Sequence, residues 1–179
     1  WVGRETRVVY EQFLNADLDR LDTDGPEAAG FWERLGSVDA EVADACRLAA
    51  ERLAPAADAA TREDLLHGFA PAVDAYHTTV AVEAWDAHKS WADRYRDRYD
   101  PVVWQRLNRV HALTSAQRVS AQLGLTTVRL LWTKFFLTYD FLVLPATPCA
   151  ALTKAACTLE NRNRVITLTA PASLGGLPV

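Results

Sequence analysis

Residues 139–151 read Tyr-Asp-Phe-Leu-Val-Leu-Pro-Ala-Thr-Pro-Cys-Ala-Ala, and the reading of this stretch decides the fold class. Phe141, Leu142, Val143 and Leu144 form a short apolar run bounded by Asp140 and Pro145, which reads as one buried strand. A second strand is expected at the far end, where Ala170 to Val179, with Pro171, Gly175, Gly176 and Pro178, reads as a tight loop entering it. Single strands need neighbours in a sheet. The expected class is therefore α/β, a predominantly helical fragment with a few strands belonging to a mixed sheet.

Upstream of that run the pattern is helical. Ser115 to about Thr138, capped by Thr114, carries Val119, Leu123, Thr127, Leu130, Lys134 and Leu137 at helical spacing. Asp100 followed by Pro101 predicts a helix start with proline at its first position, leading to Val103, Leu107 and Val110. A long amphipathic helix is expected from about Pro71 to Tyr95, with Val73, His77, Val80, Ala84, His88 and Trp91 on one face. Thr61 with Asp64 resembles a capping box. Ser37 is the expected cap of a helix whose stripe is Val38, Val42, Ala45, Cys46, Ala49 and Leu53, ended by Pro55. Thr158 with Asn161 caps a helix through Val165 and Leu168. Residues 8–21 carry Val9, Phe13, Leu14, Leu18 and Leu21 at near-helical spacing, and Phe31, Trp32 and Leu35 form an apolar handle. Residues 1–30 stay unassigned.

The chain has 179 residues, a net charge of -4 and 50% hydrophobic residues, the arithmetic of one globular domain. No run of about 18 apolar residues appears, so no membrane span is expected. The mild acidity lacks the footprint of a general nucleic-acid binder. The absence of methionine and the start at Trp1 predict a fragment, with more chain expected after Val179. Three widely spaced cysteines, Cys46, Cys149 and Cys157, fit neither a disulfide framework nor a zinc site, which favours a reduced, cytoplasmic protein.

Few constellations carry chemistry. His67, His77, His88 and His111 include no pair four residues apart, so no metal site is expected. His77 and His88 read as hydrogen-bonded histidines at a packing surface. Glu83 and Asp86 read as a solvated helix face. Arg94, Arg96, Arg98, Arg106 and Arg109 interleave with Trp91, Tyr95, Tyr99 and Trp104, but Asp93, Asp97 and Asp100 cancel most of that charge. An inter-helix turn laced with arginine-aspartate pairs and aromatic packing is the favoured reading over a nucleic-acid surface. No serine sits in Gly-x-Ser-x-Gly. Ser173 lies on the expected loop beside Gly175 and Gly176.

Three segments together resemble the C-terminal half of the amidase signature family of serine amidohydrolases. Residues 139–151 are similar to its Tyr-Asp, apolar strand, Pro-x-Thr-Pro segment. Residues 168–179, Leu-Thr-Ala-Pro-Ala-Ser-Leu-Gly-Gly-Leu-Pro-Val, resemble its late Gly-Leu-Pro segment leading into a core strand. Residues 83–116, with Arg98, Tyr99, Asp100, Pro101, Arg106, Leu107, Leu113 and Thr114, look like its helical region. Order and separation match, and a weaker fourth match at Phe31, Trp32 and residues 37–53 extends the likeness to about residues 30–179. The late segment most resembles carboxybiuret and allophanate hydrolases and the amidotransferase A subunit.

The resemblance implies an amidase-type mixed sheet and hydrolysis of a carbon-nitrogen amide bond in a small amide substrate, without a cofactor. Its Ser, cis-Ser, Lys triad belongs to an upstream signature absent from this chain. No Gly-Ser-Ser-Gly-Gly run is present, and Lys89, Lys134 and Lys154 stand in unlike positions. No catalytic residue is carried over. Pro145, Thr147, Pro148, Ser173, Gly175 and Gly176 are implied as substrate-pocket border. The chain is then expected to be inactive alone, and to need the missing amidase core or to self-associate. The alternative is a non-catalytic helical interaction module derived from that scaffold.

Overall fold

Helix α1 (Ala40–Ala50) begins at Asp39, two residues later than the expected Ser37 cap. The Asp39 carboxylate is drawn off by the Arg164 guanidinium, which donates to it at 2.6 Å, while the Asp39 N–H donates to the Pro148 carbonyl at 2.7 Å. The helix therefore starts without a side-chain cap. The computed structural model describes residues 35–53, 55 and 57–179. The expected helix over residues 8–21, the pair Phe31 and Trp32, and the unassigned residues 1–30 lie outside the described residues.

Five further α-helices follow among the described residues: α2 (Ala59–Phe69), α3 (Ala72–His88), α4 (Pro101–Asn108), α5 (Ser115–Phe135) and α6 (Leu159–Gly175), with short 3-10 turns at Arg96–Arg98, Arg109–Ala112 and Lys154–Ala156. Three expected caps are present. The Asp100 carboxylate accepts from the N–H groups of Val102 and Val103 with Pro101 in the first turn. Thr114 forms a full capping box with Gln117, and Thr158 accepts from the Asn161 N–H. The box expected at Thr61 and Asp64 moves back one turn, because Asp58 accepts from the Thr61 N–H and the helix is already under way at Ala59. The long α3 stops at His88, and residues 89–95 continue as turns.

The core lies where α2, α3, α5 and α6 meet. Leu65, Phe69, Ala72, Ala75, Leu125, Val128, Trp132, Phe135, Ile166, Ala170 and Leu174 form one buried cluster. α3 runs along both α5 and α6. Its buried face is Ala72, Ala75, Thr78 and Ala81, not the expected stripe, and Val80 and Trp91 stand exposed. Size explains this, since a Cβ on Gly124 of α5 would meet the Ala75 Cβ at 3.1 Å and the Pro71 Cβ at 3.2 Å. The two backbones approach too closely for anything larger. Gly68 likewise lets Leu131 cross over α2, where a Cβ would lie 2.3 Å from the Leu131 Cδ2. The sequence marks Gly68 as a break, whereas it sits inside α2 as a crossing point.

Helix α5 buries Ala121, Gly124, Leu125, Val128, Trp132 and Phe135. The expected stripe of Val119, Leu123, Leu130 and Leu137 therefore faces outward. α5 has two apolar faces, and periodicity does not say which turns inward. The inward face is the one whose Gly124 admits Ala75 and Pro71 and whose Trp132 and Phe135 join Phe69 in the buried cluster.

No strand occurs among the described residues. Residues 141–144 are half-buried but not in a ladder, and Leu142 and Leu144 pack against the helical cluster. Residues 177–179 likewise form no strand, and most of the loop expected from Ala170 onward is the last part of α6. The mostly helical character is observed. The strands are not, because a ladder needs a neighbouring strand and the elements next to these residues are helices. Nor is any helix among the described residues long and apolar enough to cross a membrane.

Candidate functional site

Pro145, Thr147 and Pro148 lie on the turn that follows residues 141–144. Pro145 is buried and Pro148 is fully enclosed. The Thr147 hydroxyl donates to the Cys149 carbonyl at 2.9 Å, closing the turn on itself. The Pro148 carbonyl holds the Asp39 N–H, so this turn is anchored to the start of α1.

Ser173, Gly175 and Gly176 form the other group. Ser173 is exposed on the last turn of α6, a helical position where a loop was expected. Gly175 lies flat against Trp132, where a Cβ would fall 2.7 Å from the indole Cδ1. Gly176 takes the left-handed conformation with φ 67° as the α6 cap, which side chains with a Cβ rarely adopt. Trp132 fixes this end by donating its indole N–H to the Pro171 carbonyl at 2.8 Å.

The two groups attach to α6 at different levels. The Pro148 turn reaches it through Asp39 and Arg164, nine residues before Ser173, or about 13 Å of helix. The cleft near the first group, of about 640 Å³, is lined by Leu35, Ser37, Glu160, Asn163, Arg164 and Thr167 and contains none of the six residues. Its one strong cation is already engaged, since the Arg164 Nε–H donates to the Ser37 carbonyl at 2.9 Å and another guanidinium N–H reaches Asp39.

The histidines are structural partners. His88 Nδ1 meets the Tyr99 hydroxyl at 2.7 Å, and His77 Nε2 meets Asn163 Oδ1 at 3.3 Å. Burial pushes the His77 pKa down, aided by the Arg109 and Arg162 charges and opposed by Asn163. Asp86 pairs with Lys89 at 2.8 Å on an exposed face. In the arginine-rich turn, Arg94 and Arg98 stand over the Tyr95 ring at 5.3 and 5.1 Å and Arg96 over Trp104 at 5.3 Å. Aromatic rings organise these guanidinium groups, and Asp100 serves as a helix cap. The described residues include no cluster of three or more His, Cys, Asp or Glu placed to hold a metal ion.

Two polar elements have no counterpart in the sequence reading. Asp58 accepts from the Thr61 N–H, the Thr61 hydroxyl and the Tyr139 hydroxyl, and these donors hold its carboxyl far below the usual range. Arg164 ties α6 to the start of α1. The Asp58–Tyr139 and Asp39–Arg164 contacts are remote in sequence, so no local spacing signals them.

Comparison with family models, with curated proteins and with solved structures finds no match.

Proposed function

We propose that this chain is the C-terminal portion of an amidase signature hydrolase, contributing pocket walls while the serine nucleophile and its lysine come from sequence upstream. The observation that carries the reading is the order of three segments: the helical Tyr99-Asp100-Pro101 region, the Tyr139-Asp140 to Pro148 run, and Gly175-Gly176-Leu177-Pro178. Supporting it, the Pro145 to Cys149 turn is closed by Thr147 and pinned to α1, and the Gly176 cap is pinned through Trp132. Rigid turns of this kind suit the border of a site where a small amide is positioned for attack. The chemistry proposed is acyl transfer through a serine ester with oxyanion stabilisation, for which this chain supplies no catalytic group.

The second reading, a helical interaction module, is favoured by one observation: α2, α3, α5 and α6 close a hydrophobic cluster without a sheet.

Ammonia release from a panel of small amides, measured for this chain alone and for the longer gene product containing it, separates the readings. The expected outcome is hydrolysis by the longer product only, with Thr147→Ala and Ser173→Ala in it shifting KM more than thermal stability. Turnover by the 179-residue chain alone would overturn the division of labour. No turnover by either would overturn the amidase reading.

A further inference from the structure

Three arginines gather where α3, α4 and α6 come together. His77 of α3 touches Asn163 of α6 at 3.3 Å, which brings Arg162 beside α3, while the 3-10 turn packed on α3 carries Arg109, three residues after Arg106 of α4. The three act on one another. Arg162 is half-buried, and its pKa is pushed down first by burial, then by the Arg106 charge and more weakly by Arg109, against an opposing effect of Tyr76. Elsewhere the cations are settled. Arg47, Lys89, Lys134 and Arg164 sit beside carboxylates, Arg94, Arg96 and Arg98 stand over rings, and Arg118 and Arg129 donate to carbonyls. Among the described residues Arg106, Arg109 and Arg162 have none of these partners. Asp74 acts on His77 from one turn earlier in α3, but it forms no ion pair with the three arginines. Like charges held together repel, and one anion set among them relieves all three.

The chain carries the missing charge itself. Residues 1–34 hold eight carboxylates against four arginines, so the net charge of -4 resides there, and residues 35–179 balance with fifteen of each sign. Asp17, Asp19, Asp22, Asp24 and Glu27 fall within eleven residues that contain one arginine, Arg20. We propose that residues 17–27 of the same chain are the counter-ion of this cluster, their carboxylates pairing with Arg106, Arg109 and Arg162. Reach allows it. The first described residues lie against α6, where a Cβ on Gly36 would meet the Thr167 Cγ2 at 3.4 Å. Arg162 is about 7.5 Å along the helix from Thr167. The chain from Leu35 back to Glu27 spans up to about 26 Å, enough to pass around a helix about 10 Å across. Tethering favours this occupant over a free anion. Arg106 and Arg109 are exposed, and at such positions solvent and salt leave a single ion pair little strength. A run of carboxylates on a short tether meets the cluster with several charges at once, at an effective concentration on the order of millimolar. The inference is independent of the amidase reading.

Carbodiimide joins an amine to a carboxylate in direct contact, so it reads the pairing in the full chain once an amine stands in the cluster. Arg106→Lys and Arg109→Lys keep the charge at exposed positions. In each variant, peptide mapping by mass spectrometry should find the introduced lysine joined to a carboxylate of residues 17–27, within single chains of 19.8 kDa. Lys89 with Asp86 and Lys134 with Asp64 are the internal controls for the reaction. The yield should fall at least about tenfold in 1 M salt, where the screening length shrinks to about 3 Å. Arg162→Gln combined with Arg109→Lys should lower it as well, with circular dichroism checking the fold. No crosslink to residues 17–27, crosslinks only between two chains, or a yield unmoved by salt would each overturn the proposal. So would loss of the crosslink in inorganic phosphate but not in chloride of equal ionic strength, which would make the cluster a site for a free oxyanion.

Discussion

Asp58 gathers three donors, and the farthest, Tyr139, lies 81 positions along the chain. The Thr61 N–H at 2.9 Å and its hydroxyl at 2.8 Å act first, and the Tyr139 hydroxyl at 2.8 Å adds to them; together they depress the Asp58 pKa from an ordinary 3.8. A carboxyl depressed on folding stabilises the folded state above its unfolded value, and that contribution is lost as pH falls through the folded value. Tyr139→Phe keeps the ring that stacks on Phe135 at 4.8 Å and removes only the hydroxyl, with its bond to Asp58 and its 3.2 Å contact with the Thr61 hydroxyl. The variant should therefore melt below the native chain at neutral pH, with the gap narrowing progressively below pH 3.8. Thermal melts across that range provide the check, and a gap independent of pH would show that the hydroxyl acts only through packing. The sequence reading places the cap at Thr61 with Asp64, whereas the structure places it at Asp58, where the Thr61 hydroxyl and Tyr139 add their donors, and Tyr139 lies outside any local window.

Between elements, closeness of approach decides more than hydropathy. The spacing of apolar residues in Ser115–Phe135 signals a helix, and Thr114 with Gln117 signals its start, both of which are local matters. Which face is buried is not local. The inward face of α5 is set by Gly124 against Ala75 and by Trp132 against Phe69 at 5.1 Å, contacts that the α5 sequence does not contain. The same holds for the end of α6, where Pro171, Gly175 and Gly176 read as loop residues. Pro171 stays helical and fully enclosed, its carbonyl bound by the Trp132 indole, and Gly175 is the thin point that lets the indole lie against α6. Gly175→Ala would push a Cβ into a ring that this hydrogen bond holds still. The expected loss is about 1–3 kcal/mol, the usual range for overpacking, less than 1 kcal/mol of which better helix propensity returns. Urea titration measures it. A neutral result would mean that the indole can swing away, and the bond to Pro171 would then be dispensable.

For the whole molecule, the informative departure is residues 141–144. An apolar run between Asp140 and Pro145 reads as a buried strand, but a strand is a property of pairs, and the sequence of one run does not contain its neighbour. In the described residues Leu142 and Leu144 settle on helices instead. Only the resemblance singles out the six residues it implies as a pocket border, and the structure holds them in two groups at different levels of α6. Whether the four-helix cluster is a body in its own right follows from how it opens. Trp132 is 5% exposed, its indole N–H is bonded to Pro171, and it touches Phe69 of α2 as well as α6, so that proton reaches water only when the cluster separates. Buried groups that need global opening exchange with the free energy of unfolding, whereas groups freed by fraying exchange with much less. The indole proton of Trp132 should therefore exchange, by NMR in deuterated solvent, with an opening free energy equal to that from urea unfolding of the same chain. A markedly smaller value would mean that α5 and α6 part while the rest stays folded. The cluster would then need a further layer to complete it, which is what a fragment of an amidase sheet requires and what a self-sufficient helical module does not.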